Sequence, residues 1–193
     1  MIHIFFDIEN TIIDDLWNCS FLPHKCDNIV RWLKQNFIIT HPAVKCHLFT
    51  WGWKERSEIN QEIVKNLFDR LEIPEATRGF VWTKDDSIQC AVKHEWVNSS
   101  DEILIEDLHI PGAMKRFGLE KQTCFIQQVK DLIDFKNATC DIINTDRFIL
   151  IDDTNNEEEI ESRTFTNKHN FNIEVQFLHP ENLLLNTYFL LAK

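Results

Sequence analysis

A chain of 193 residues and 23.0 kDa is long enough for one ordinary domain and short for two. Hydrophobic residues at 44%, charged residues at 26%, four Gly and five Pro match a globular composition and exclude collagen-like or low-complexity chains. The formal charge of −11 at pH 7 disfavours a broad nucleic-acid surface, while leaving room for a nucleotide in a local pocket where a divalent cation reverses the charge.

No stretch approaches the ~20 apolar residues that span a bilayer. The start, MIHIFFDIEN, lacks a basic segment and meets Asp7 early, so no signal peptide and no membrane partner are expected. Six Cys without a CxxC pair read as reduced thiols of a cytoplasmic protein. His residues are scattered without HxH or HExxH spacing, so a zinc site is not expected.

In chain order, residues 1–6 form a near-continuous apolar run that stops at Asp7, the pattern of a buried parallel strand. Residues 10–24 are irregular. Ile29, Val30, Trp32, Leu33 and Phe37 put a helix over 25–38. Residues 44–49 are a second apolar strand ending at Thr50. Ile59, Ile63, Val64, Leu67, Phe68 and Leu71 recur at helical spacing. Residues 80–82 suit a short strand, with Ser87 as the cap of the next helix. Residues 103–105 suit another strand, and 122–135 a helix. Residues 148–151 form a strand ending on Asp152 and Asp153. Residues 155–163 are polar and acidic and suit an exposed helical turn. Residues 173–178 alternate as a strand, and Pro180 opens a final helix through Leu190.

Strands alternating with helices predict a single α/β domain over 1–193, with a mainly parallel central sheet and helices on both faces. Ligands of such sheets bind beyond the carboxyl ends of the strands. Asp7, Thr50, Asp152 and Asp153 all end strands and should gather there. Carboxylates from two strand ends suit Mg²⁺, which takes few protein ligands and accepts substrate phosphate oxygens. A cation is needed beside them to offset phosphoester charge. Lys121 at a helix start fits this role, with Lys84 as competitor.

In this order the residues resemble the motifs of the haloacid dehalogenase-like (HAD) phosphohydrolases. The set is IFFDIENT with Asp7, Glu9 and Thr11, CHLFT with Thr50, EKQTCFIQQV with Lys121, and FILIDD with Asp152 and Asp153. The resemblance implies a three-layer Rossmann-like fold and a Mg²⁺-dependent phosphomonoesterase acting on a phosphorylated small molecule, a nucleotide or a nucleic-acid end. It implies Asp7 as nucleophile, residue 9 as acid and base, and Thr50 and Lys121 as holders of the phosphoryl group. The metal would be held by Asp7, the Glu9 backbone carbonyl, and Asp152 or Asp153. The family's phosphatases usually carry Asp where this chain has Glu9, one methylene longer, and misplacing a catalytic group by about 1 Å costs ~100-fold in rate.

Residues 83–118 suit a small cap or insertion over the site. Two further readings remain: a HAD-like module that binds without turnover, favoured by Glu9, and a metal-dependent ribonuclease. FFDIEN also looks like the first motif of PIN/NYN nucleases, although the later small-Gly-Asp-x-Asp motif is absent.

Overall fold

Strand β1 (Ile2–Asp7) is apolar on both faces, and Ile4, Phe5 and Phe6 have no solvent exposure. A strand of this kind needs a helical layer on each side. It lies inside the sheet, parallel to β2 (Val44–Phe49) on one edge and to β4 (Arg147–Ile151) on the other. The outer strands are β3 (Arg78–Trp82), β5 (Glu161–Thr166) and β6 (Asn172–Leu178), giving the order β3-β2-β1-β4-β6-β5. All neighbours run parallel except β5, which is antiparallel to β6. The computed structural model describes residues 1–97, 114, 119–138, 146–157, 160–166 and 172–183.

Helices α1 (Pro23–Asn36) and α2 (Gln61–Arg70) cover one face. Ile29, Leu33, Leu67 and Phe68 pack there on Ile4, Phe6, Leu48 and Ile149. After α3 (Lys84–Lys93), helix α4 (Lys121–Ala138) covers the other face, with Phe125, Val129 and Ile133 on Phe5, Phe49, Leu150 and Phe177. The alternating side chains of each strand thus feed two separate cores. A smaller cluster of Ile88, Ala91 and Cys124 joins α3 to α4. The result is the expected α/β architecture, with a mainly parallel sheet between helices.

Two expectations are corrected, the Ser87 cap and the helical turn at 155–163. Helix α3 begins at Lys84: the Thr83 side chain and Asp86 form a capping box, and Ser87 is buried inside the helix. The described residues within 155–163 hold no helix, because Glu161 opens edge strand β5. The acidic composition there reflects an edge strand facing solvent, where charge discourages further pairing. The first part of 83–118 is helix α3, packed on α4, while 98–113 and 115–118 lie outside the described residues, as do the strand expected at 103–105 and most of the last helix. Among the described residues no cysteine forms a disulfide, and no helix is long and apolar enough to cross a membrane.

The chain fills the sheet from β1 outward to β2 and β3, then returns to lay β4 and β6 on the opposite side of β1. The order therefore reverses between β1, which ends on Asp7, and β4, which Asp152 follows directly. This is the position at which doubly wound sheets open a crevice.

Candidate functional site

The first piece is the turn that follows β1. Asn10 has φ 58°, a left-handed conformation that Asn tolerates better than most residues. Its amide bonds to the Ile13 carbonyl at 2.7 Å, and Ile12 N bonds to Ile8 O at 2.9 Å. This tight reversal buries Thr11 and brings its hydroxyl back to Asp7, where it donates to Oδ2 at 3.3 Å. Thr11 Oγ1 also accepts the Asp153 amide at 3.1 Å. One buried hydroxyl therefore ties the end of β1 to the end of β4.

The second piece is the end of β4. Asp152 is fully buried, and its Oδ1 accepts from Thr154 N at 2.9 Å and Thr154 Oγ1 at 2.6 Å. Asn155 Nδ2 donates to the Leu150 and Leu178 carbonyls, fastening the turn across β4 and β6. Gln122, next to Lys121 on α4, donates to Asn155 Oδ1 at 2.9 Å. Thr154 and Asn155 escaped the sequence reading because they sit in a polar, acidic stretch. The available signal was Asp followed by Thr and Asn, side chains that close local turns.

The third piece is Lys121, the first residue of α4. Its Nζ lies 2.6 Å from Asp7 Oδ1 and 2.8 Å from Asp152 Oδ2. The adjoining helix N-terminus adds positive potential to the same spot. The flanking acids raise the Lys121 pKa against the opposing effect of burial. Lys84, the competing cation, is buried at the start of α3, where burial and nearby Lys54 lower its pKa. Lys121 is the lysine in contact with the two strand-end carboxylates.

One carboxylate oxygen from each of Asp7, Asp152 and Asp153 falls within 4.8 Å of the others. Three ionised carboxylates and one ammonium leave a local charge of −2, which a divalent cation would cancel. The donor set of hard oxygens fits Mg²⁺. Burial, opposed by Lys121 and reinforced by Asp152, raises the Asp7 pKa to about 8. Burial and then Asp152 also raise the pKa of Asp153.

Glu9 is half-buried beside this cluster, and burial raises its pKa while Lys121 and the Leu16 backbone lower it. Its carboxyl lies against Gly52: a Cβ built there would stand 2.2 Å from Glu9 Oε2 and 2.5 Å from Leu16 Cδ1. Glycine at this position is what lets the longer acid fit. Thr50 is fully buried at the end of β2, and its Oγ1 accepts the Gly52 amide at 2.9 Å. That bond shapes the turn that lays Gly52 beneath Glu9. The structure thus brings Asp7, Lys121, Asp152 and Asp153 together directly, sets Glu9 beside them, and gives Thr50 a hydrogen bond within its own turn.

The raised acids make the metal-free fold pH-dependent. Asp7 keeps its proton in the fold at pH values where the unfolded chain has lost it, so the folded state binds more protons between about 4 and 8. Stability is then greatest below the unfolded value and falls as pH rises through the folded one. Glu9 and Asp153 act with the same sign. In EDTA the urea midpoint is expected to be lower at pH 8 than at pH 5, with added Mg²⁺ flattening the difference. A midpoint that climbs over this range in EDTA contradicts the assignment.

Comparison of the chain with protein-family models, with curated proteins and with solved structures returns no match.

Proposed function

We propose that this chain is a Mg²⁺-dependent, HAD-like phosphomonoesterase that works through an aspartyl-phosphate on Asp7. The observation that carries this reading is Lys121 Nζ bridging Asp7 and Asp152 at the switch point of the sheet, with Asp153 alongside. A nuclease built on several metal-binding carboxylates gives such a lysine no task, whereas phosphoryl transfer needs a fixed cation at the nucleophile.

Asp7, Asp152, Asp153 and the Glu9 carbonyl are the groups that would hold Mg²⁺. When bound, the ion supplies positive charge against the phosphate and keeps Asp7 ionised despite its burial. An Asp7 oxygen attacks phosphorus as the bond to the leaving oxygen breaks, and Glu9 delivers its proton to that oxygen. Water then attacks the same phosphorus and gives a proton to Glu9. The phosphorus–Asp7 bond breaks, which releases phosphate and restores both carboxyls. Lys121 and the Thr50 hydroxyl donate to the phosphoryl oxygens. The raised pKa of Glu9 suits an acid that must be protonated before the first step. Thr11 holds Asp7 in register with Asp153 throughout.

A second reading, binding of a phosphate group without turnover, is favoured by the fit of the Glu9 carboxyl against Gly52 and Leu16. Phosphate release from a panel of sugar phosphates, nucleotides and 3′- or 5′-phosphorylated oligonucleotides separates the readings. Release in Mg²⁺ that stops in EDTA is the expected result. Absence of release with oligonucleotides intact favours the binding module, and shortened oligonucleotides favour a nuclease.

A further inference from the structure

A second group of ligand-type side chains lies away from the strand-end carboxylates, between α3 and α4. Cys90 on α3, His94 just past its end and Asp131 on α4 each present a ligand atom, and the three atoms lie within 4.8 Å of one another. Cys90 and His94 are four residues apart, so one helical turn stacks them on the same side. Asp131 comes from the facing helix.

The arrangement is preset by the backbone. His94 N bonds to Cys90 O at 3.1 Å, Trp96 N bonds to Ala91 O at 2.9 Å, and Glu95 takes a left-handed φ of 57°. This is a fixed helix stop, and it holds the His94 ring 6.1 Å from the Trp96 ring. His94 Nε2 then sits 2.9 Å and 3.1 Å from the two Asp131 oxygens. Two ligands each about 2.0–2.1 Å from a tetrahedral ion stand about 3.3 Å apart, so the imidazole–carboxylate pair is already close to ligand spacing. Cys90 and Asp131 also face a cleft of about 360 Å³, lined further by Trp82, Asp86 and Gln128, which leaves an approach for a fourth ligand.

We propose that Cys90, His94 and Asp131 form a Zn²⁺ site that clips α3 to α4, with its fourth position open to the cleft. Thiolate, imidazole and carboxylate together suit Zn²⁺ and are a poor set for Mg²⁺. On binding, the Cys90 thiol loses its proton to solvent, His94 gives up the Nε2 proton it shares with Asp131 and offers that nitrogen with its ring proton on Nδ1, and Asp131 exchanges the Lys93 ammonium and the His94 N–H for the ion. That ammonium, 2.8 Å from Asp131 in the metal-free chain, belongs to a largely exposed side chain and returns to water at little cost. Burial and the Asp131 charge raise the Cys90 thiol pKa to about 12 in the metal-free chain, and a bound ion would supply the positive charge that keeps it a thiolate. The alternative for the same residues is a His94–Asp131 pair braced by Lys93 and Gln127 beside an inert thiol.

Cobalt(II) added to the chelator-stripped full chain distinguishes the two. The expected result is a near-ultraviolet thiolate-to-cobalt charge-transfer band that saturates near one ion per chain and is displaced by Zn²⁺ but not by excess Mg²⁺. Cys90→Ser should abolish the band. His94→Ala and Asp131→Asn should each weaken cobalt binding by roughly 100-fold or more, since losing a direct ligand exceeds the 10–100-fold typical of its supporting partners. Cys124→Ser, a neighbouring buried thiol, should keep the band, and far-ultraviolet circular dichroism on every variant confirms folding. No band in the wild-type chain, or a band that survives in folded His94→Ala and Asp131→Asn with undiminished affinity, overturns the proposal. Because the readout is metal binding, it stands whether or not the chain releases phosphate.

Discussion

Replacing Asp7 by Asn is expected to lower Mg²⁺-dependent phosphate release by on the order of 10⁴-fold or more, because the variant lacks the carboxylate oxygen that the proposed mechanism gives the task of taking the phosphoryl group. Asn keeps the size of the side chain and an oxygen that can accept from Thr11 or Lys121, so the packing of the site survives. The substitution also removes a buried carboxyl whose ionisation is opposed by burial and by Asp152. In EDTA at pH 8 the variant should therefore be at least as stable as the wild type, which separates loss of chemistry from loss of fold. The measurement pairs phosphate release with a urea midpoint on the same preparation. Residual release within tenfold of wild type, in a folded variant, removes Asp7 from the nucleophile role.

Lys121→Met is expected to act on both stability and activity. Methionine keeps the length and apolar stem of the side chain but withdraws the charge 2.6 Å from Asp7 and 2.8 Å from Asp152. Removing one member of a buried ion pair costs about 3–5 kcal/mol, since the remaining charges stay buried without compensation. Here two carboxylates are affected at once, so in EDTA at pH 8 the urea midpoint should fall sharply. Burial, opposed by Lys121 and reinforced by Asp152, raises the Asp7 pKa to about 8, so Asp7 takes up its proton as pH falls and the loss should shrink at pH 5. Mg²⁺ should restore much of the midpoint, because it supplies the missing positive charge to the same oxygens. It should not restore turnover, as the phosphoryl group still lacks its fixed cation. An unchanged midpoint in EDTA would falsify the central place given to this lysine.

The two effects rest on different levels of the structure. Asp7 was legible because a buried strand that stops on an acid is visible as a hydrophobic run with a charged end. The same pattern marked Asp152 and Asp153 after β4. Lys121 was legible as one of two lysines only, since sequence spacing does not say which helix start faces the strand ends. Helix α4 lies across the face formed by Phe5, Phe49 and Leu150, and this packing brings its first residue over Asp7 and Asp152.

Other parts had no signature of their own. Thr11 binds Asp7 and the Asp153 amide across 142 residues of chain, a pairing that exists only because β1 and β4 are neighbours. Gly52 matters because the Glu9 side chain lies against it, not because its own turn demands glycine. Edge strand β5 was misread because its polar, acidic residues lack the alternation of a half-buried strand. Its partner β6, buried on alternate positions, was read correctly. The trio of Cys90, His94 and Asp131 joins two helices, so spacing rules for zinc motifs within one segment pass over it.

The sequence by itself determined the α/β layer architecture and the strands that end on acids, because hydrophobic periodicity and the polar residues that stop a strand are local properties. Tertiary structure alone decided which side chains meet. The sheet order β3-β2-β1-β4-β6-β5 sets β1 beside β4, and the packing of α4 chooses Lys121 over Lys84. The physical reason is that charges act over a few ångströms of space, while the chain separates Asp7 from both Lys121 and Asp152 by more than a hundred residues.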